Sequence, residues 1–112
     1  MAEWTPIAQT ESATNYAELS TIRKAGNKVK MWIMEDFKTM QVIGEYKYLS
    51  AKSQFEYDCQ NETLVVGAIL MFLGNMGSGQ VVTSVSKRLV DPMPVSPGSV
   101  GEIAWKIACG KR

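Results

Sequence analysis

Between Thr63 and Leu73 the chain is apolar on both of the faces a β-strand presents: Leu64, Val66, Ala68, Leu70 and Phe72 alternate with Val65, Ile69, Met71 and Leu73. Such a strand belongs in the middle of a sheet with both faces covered. One cover can be a helix. The other has to be a second layer or another subunit, and this raises the expectation of a homodimer. At about ten residues, with Gly67 inside it, the stretch is half of what a membrane-spanning helix needs, so no transmembrane segment is expected.

The rest of the chain supplies strands to flank this one. Trp4 to Ala8 reads as an edge strand, because Pro6 cannot donate to a central ladder. Residues 1–13 as a whole are expected to be loosely ordered, and Gln9 to Asn15 reads as a loop before a short strand at Tyr16–Leu19. Lys24-Ala25-Gly26-Asn27 offers residues that tolerate positive φ, followed by a strand from Lys28 to Phe37. Val29, Met31 and Ile33 lie on one side of it, with Lys28, Lys30, Trp32 and Met34 on the other. Thr39 to Tyr46, containing Gly44, interrupts the alternation, which resumes from Lys47 to Cys59. There Phe55, Tyr57 and Cys59 point to the core, with Gln54, Glu56 and Asp58 opposite.

Asn61-Glu62 turns the chain into the apolar strand. Gly74-Asn75-Met76-Gly77-Ser78-Gly79 then leads to a strand at Gln80–Ser86. A phosphate-cradling loop needs backbone amides at the start of a following helix, and here a β-branched strand follows, so the glycine run reads as a hairpin loop. Pro92, Pro94 and Pro97 form a stiff connection. Ser99 and Glu102 have the spacing of a capping box, and Val100, Ile103, Ala104, Ile107 and Ala108 form a helical stripe ended by Gly110. On that stripe Cys109 falls to the side with Trp105, so the helix is expected to end at or just before Cys109, with its last turn bent to reach Cys59. The pattern is an α+β domain spanning residues 1–112: an antiparallel sheet of about five to six strands with a C-terminal helix packed on it.

Composition narrows the chemistry. Among 112 residues there is no histidine, and twelve Lys plus Arg stand against eleven Asp plus Glu. The usual general base near neutral pH and the commonest zinc ligand are therefore missing, and no cofactor or metal is expected. A net charge of +1 lacks the basic excess of a nucleic-acid binder. Met1-Ala2-Glu3-Trp4 has neither a basic n-region nor an apolar h-region. Either the protein is cytosolic or a leader has been removed. Cys59 and Cys109 are too far apart for a CxxC redox motif and too few for a metal site. They form a structural disulfide, worth about 4 kcal/mol in the chain-entropy model, or remain two buried thiols of a cytosolic protein.

Two stretches are more specific. Ser50-Ala51-Lys52-Ser53-Gln54-Phe55-Glu56-Tyr57-Asp58-Cys59, and Pro94-Val95-Ser96-Pro97-Gly98-Ser99-Val100-Gly101-Glu102 followed by Trp105 and Ala108-Cys109, resemble the bacterial surface-adhesin protein E-like family. Met31-Trp32-Ile33-Met34 and Gly79-Gln80-Val81-Val82 fall in the same order as in that pattern, so the resemblance runs from about Tyr16 to Cys109. It implies an exported domain, periplasmic, outer-membrane associated or at the cell surface, whose helix end is tied to the sheet by a Cys59–Cys109 disulfide. The expected function is non-enzymatic binding of a host or envelope protein. The alternative is a structural or assembly component of the envelope, acting as a homodimer. The N-terminal residues carry no lipobox cysteine.

A binding surface for such a role needs exposed aromatics and cations. Tyr46, Lys47, Tyr48 and Lys52 are the first candidates and Lys87 with Arg88 the second. An enzymatic reading would have to rest on carboxylate pairs: Glu35-Asp36, or Glu56 and Asp58, about 7 Å apart along one strand face. The second pair reads as the polar outer face of a half-exposed strand. The methionines at 31, 34, 71 and 76 read as fillers of core gaps rather than soft-metal ligands.

Overall fold

The computed structural model describes residues 3–86 and 91–111. Six strands follow one another as an antiparallel meander: β1 (Thr5–Gln9), β2 (Ala13–Ala25), β3 (Lys28–Ile43), β4 (Tyr46–Asp58), β5 (Thr63–Phe72) and β6 (Val81–Val85). A two-residue strand β7 (Met93–Pro94) pairs with the start of β5, and the helix α1 (Val100–Cys109) ends the fold. Each early connection is a tight turn because the chain has the residue for it. Gly26 turns β2 into β3 at φ 64°, and Gly44 turns β3 into β4 at φ 56°. At the β4–β5 turn the Asp58 carboxylate accepts the backbone N–H groups of Gln60 and Asn61.

Strand registers sort the side chains into two faces. Val29, Met31 and Ile33 of β3 sit beside Tyr57, Phe55 and Ser53 of β4 on the face that meets the helix. Val29, Met31, Ile33 and Tyr57 form the main core with Ala17, Ala104, Trp105 and Ala108, Phe55 packs against it, and Met31 and Ala17 have no exposed surface. The helix lies across β1 to β4. The alternation expected along Lys28–Phe37 and Lys47–Cys59 is therefore present. The loop expected from Gln9 to Asn15 is shorter, because β2 begins at Ala13 and pairs with Phe37 of β3. Residues 5–9 of the stretch expected to be loose form the edge strand β1 on β2.

Two expectations need correction. The strand at Thr63–Leu73 does not keep one alternation: Gln54 pairs with Ala68 but Phe55 pairs with Val66, so Gly67 is an unpaired bulge residue. Leu64 and Val66 share the helix face with Ile69 and Met71, while Ala68, Leu70 and Phe72 join Val65 on the other face. Nor is β5 covered twice. Most of its residues are half-buried, since the helix covers the strands before it.

The second correction concerns the helix. Its buried residues are Ala104, Trp105 and Ala108, and Ile103 is 38% exposed. The packing seam is rotated toward Trp105 because the indole buries more surface than an isoleucine and its N–H donates to the Asp58 carbonyl at 2.9 Å. Small residues on the same face allow close approach: a Cβ on Gly101 would stand 3.4 Å from Leu64. Cys109 therefore sits at the seam's edge within the helix, without a bend before it. It is joined to Cys59 by a disulfide with Cα atoms 5.6 Å apart. Ser99 caps the helix by accepting the Glu102 N–H, and the Glu102 carboxylate accepts the Gly98 N–H, one residue earlier than a standard capping box.

Candidate functional site

Beyond Phe37 on β3 and Ser50 on β4, the flanking strands β2 and β5 no longer pair, so the β3–β4 hairpin projects alone from one end of the sheet. The register of β3 shifts between Asp36 and Gln41, and regular pairing resumes at Gln41–Tyr48, Val42–Lys47 and Ile43–Tyr46. A two-stranded ribbon has no second layer to bury its side chains. Val42 is 61% exposed, Ile43 50%, Tyr46 45% and Met40 43%. Lys38, Glu45 and Lys47 are exposed around them.

The base of the hairpin is braced by the loop from Gly74 to Gly79, which folds back over the face opposite the helix. Ser50, wholly buried, donates from its hydroxyl to the Gly74 carbonyl at 2.6 Å and accepts the Gly77 N–H at 2.8 Å. Asp36 accepts the backbone N–H of Met76 and the side-chain amide of Asn75. The glycine run is thus a hairpin loop, as its sequence suggests, and also a clamp on β3 and β4. Gly77 is held at φ 70°, which strains any other residue, and a Cβ there would stand 2.5 Å from Lys52 Cε and displace the lysine's end. Met76, Leu73 and Val81 around this loop are also more than one-third exposed. A Ser50→Ala substitution removes the hydrogen bonds of two backbone groups at once and is expected to cost roughly 2 kcal/mol in urea unfolding.

The residues singled out from the sequence separate in space. Tyr46 and Lys47 are exposed on the ribbon. Tyr48 is buried to 8% exposure, its ring edge-on to Phe37 with centroids 5.6 Å apart. Lys52 is drawn under the glycine loop, its ammonium 5.5 Å from the centre of the Trp4 ring and 5.2 Å from that of Phe72. These two brace the hairpin from inside. Lys87 and Arg88 lie outside the described residues. Met40, Val42 and Ile43 were missed because an exposed ribbon does not alternate. The available signal was the run Val42-Ile43-Gly44-Glu45-Tyr46, apolar residues on both sides of a turn glycine.

Of the carboxylate pair on β4, Asp58 is engaged in the turn. Hydrogen bonds from Asn61, through its backbone N–H and then its side-chain amide, hold the Asp58 carboxyl below its ordinary pKa. Among the described residues no group of three or more His, Cys, Asp or Glu is placed to hold a metal ion. No helix is long and apolar enough to cross a membrane.

A family model described as surface-adhesin protein E matches residues 4–110. No curated protein sequence matches the chain. Among solved structures, a second crystal form of Haemophilus influenzae protein E superposes with a TM-score of 0.71 at 12% identity, covering 98% of this chain and 96% of that one. Another structure of Haemophilus influenzae protein E gives 0.69 at 15% identity, with 98% and 92% covered. Protein E from non-typeable Haemophilus influenzae gives 0.64 at 14% identity, with 94% and 75% covered. At these identities the superpositions establish a shared fold.

Proposed function

Because the chain belongs to the surface-adhesin protein E family, we propose that it is a non-enzymatic binding domain of the bacterial envelope or cell surface that attaches to host or surface proteins through the projecting β3–β4 hairpin. The observation that carries this reading is the exposure of Val42, Ile43 and Tyr46 on a ribbon braced at its base by buried contacts. Apolar side chains left in water on a supported projection gain stability only when a partner covers them. The ribbon's exposed Tyr46 ring is of a residue type that anchors protein interfaces.

The test is binding of the purified domain to host-cell monolayers. Changing Val42 and Ile43 together to Ser is expected to reduce saturable binding at least tenfold. Neither side chain supports the core, so the melting temperature should stay within a few degrees. Unchanged binding by the folded double variant would remove the hairpin from the binding surface.

A second reading rests on the outer strand β6, Val81-Val82-Thr83-Ser84-Val85, which has neither charge nor proline to blunt its edge. A second copy pairing there would give the envelope homodimer. Light scattering of the intact domain separates the two readings. A monomer that still binds cells removes the second, and a dimer that does not bind cells favours it.

A further inference from the structure

A groove of about 240 Å³ opens on the helix-facing side of the sheet, beside the first turn of α1 and well away from the hairpin tip. Its two ends differ in chemistry. Ile33, Phe55, Tyr57 and Leu64, with Ala104 above them, make an apolar floor and wall. At the other end stand Asn15 and Glu35, which are paired across β2 and β3 and point to the same face.

Glu35 is the one ionisable carboxylate on the lining. It has access to water, yet the protein crowded around its carboxyl withholds hydration and raises its pKa, with no hydrogen bond or cation offsetting that cost. Asn15 is only 4% exposed and lines the same groove. Among the described residues no hydrogen bond reaches its side-chain amide. Glu35 is exposed, and no fully buried side-chain polar atom among the described residues lacks a hydrogen-bond partner, so both groups are open to a ligand from the groove. The Tyr57 phenol, which burial pushes above its ordinary pKa, remains neutral and adds no competing charge.

We propose that this groove binds a small primary ammonium on an apolar stem, a free alkyl- or arylalkylamine, with the stem between Phe55, Leu64 and Ala104 and the ammonium between the Glu35 carboxylate and the Asn15 side-chain oxygen. An ammonium has three donors and no acceptor, which suits two oxygen acceptors side by side. A neutral alcohol meets the same oxygens without the charge, and a carboxylate is repelled by Glu35. Volume sets the size: a cavity of roughly 150 Å³ accepts a benzene ring, so this groove holds a ring with a short amine tail and is too small for a length of polypeptide.

The experiment is a titration of the intact, isotope-labelled domain followed by amide chemical shifts, with phenethylamine as the probe and 2-phenylethanol and phenylacetate as matched controls. Saturable shifts are expected at Ser53, Gly101 and Ala104 with millimolar affinity for the amine, about tenfold weaker binding of the alcohol, and none of the phenylacetate. In the Glu35→Gln variant the amine should fall to the affinity of the alcohol, while the alcohol itself is unaffected. Equal binding of amine and alcohol by the unaltered domain would overturn the proposal, as would an absence of saturable shifts, or amine binding that survives Glu35→Gln. The hairpin reading is untouched by either result, because cell binding and the Val42 and Ile43 variants do not involve this groove.

Discussion

Breaking the Cys59–Cys109 bond, by reduction or by changing both cysteines to Ser, is expected to lower the melting temperature by roughly 15 °C. The bond closes a loop across fifty positions of sequence. In the chain-entropy model a loop of that size restricts the unfolded chain by about 4 kcal/mol, a large share of the roughly 5–15 kcal/mol by which small domains are stable. The position of the bond adds a structural consequence. It joins the last residue of α1 to the turn after β4, so its loss frees the helix end to fray from the sheet. Calorimetry of the oxidised and reduced domain checks this. A shift under about 3 °C would mean that packing alone holds the helix, and that the unfolded chain is already restricted without the bond.

The second large effect is expected at Trp105. Its side chain is 6% exposed in the main core, and its indole N–H is bonded to the carbonyl of Asp58, the residue next to Cys59. Trp105→Ala should cost about 3–5 kcal/mol through lost burial and the cavity left between helix and sheet. Trp105→Phe keeps most of the ring and loses the hydrogen bond, and is expected to cost about 1–2 kcal/mol. Urea unfolding followed by far-ultraviolet circular dichroism measures both, since the fluorescence reporter changes with the substitution. Trp105 and the disulfide attach the same helix to the same corner. Their effects should therefore not add: in the reduced protein Trp105→Ala is expected to cost less than in the oxidised one. Simple additivity would show that the two anchors act independently.

Residues read correctly from the sequence share one property, which is that their neighbours along the chain decide what they do. The turns at Gly26 and at Asn61-Glu62, the alternation of Val29, Met31 and Ile33, the placement of Phe55 and Tyr57 with Cys59, and the Ser99 cap all follow from short-range geometry. The family pattern supplied the pairing of Cys59 with Cys109. Gly67 was visible too, and a lone glycine inside a strand is a bulge signal. Its effect was not, because a one-residue slip moves every later side chain to the opposite face. The binding candidates show the same limit. Tyr46, Lys47, Tyr48 and Lys52 lie within seven positions of one another, yet two are exposed and two are held against Phe37, Trp4 and Phe72.

The sequence alone therefore determined the class of fold, the turns at Gly26 and Asn61-Glu62 and the face of β3 and β4 that forms the core, because alternation, turn residues and caps act over a few positions. Tertiary structure decided where β5 changes face, how far the helix rotates toward Trp105, that the glycine loop clamps Ser50 and Asp36, and that one hairpin projects uncovered. It also set Asn15 beside Glu35 at the end of an apolar groove. Each of these depends on which residues of distant strands lie opposite one another, and that register minimises the energy of the whole sheet and its helix rather than of any single segment.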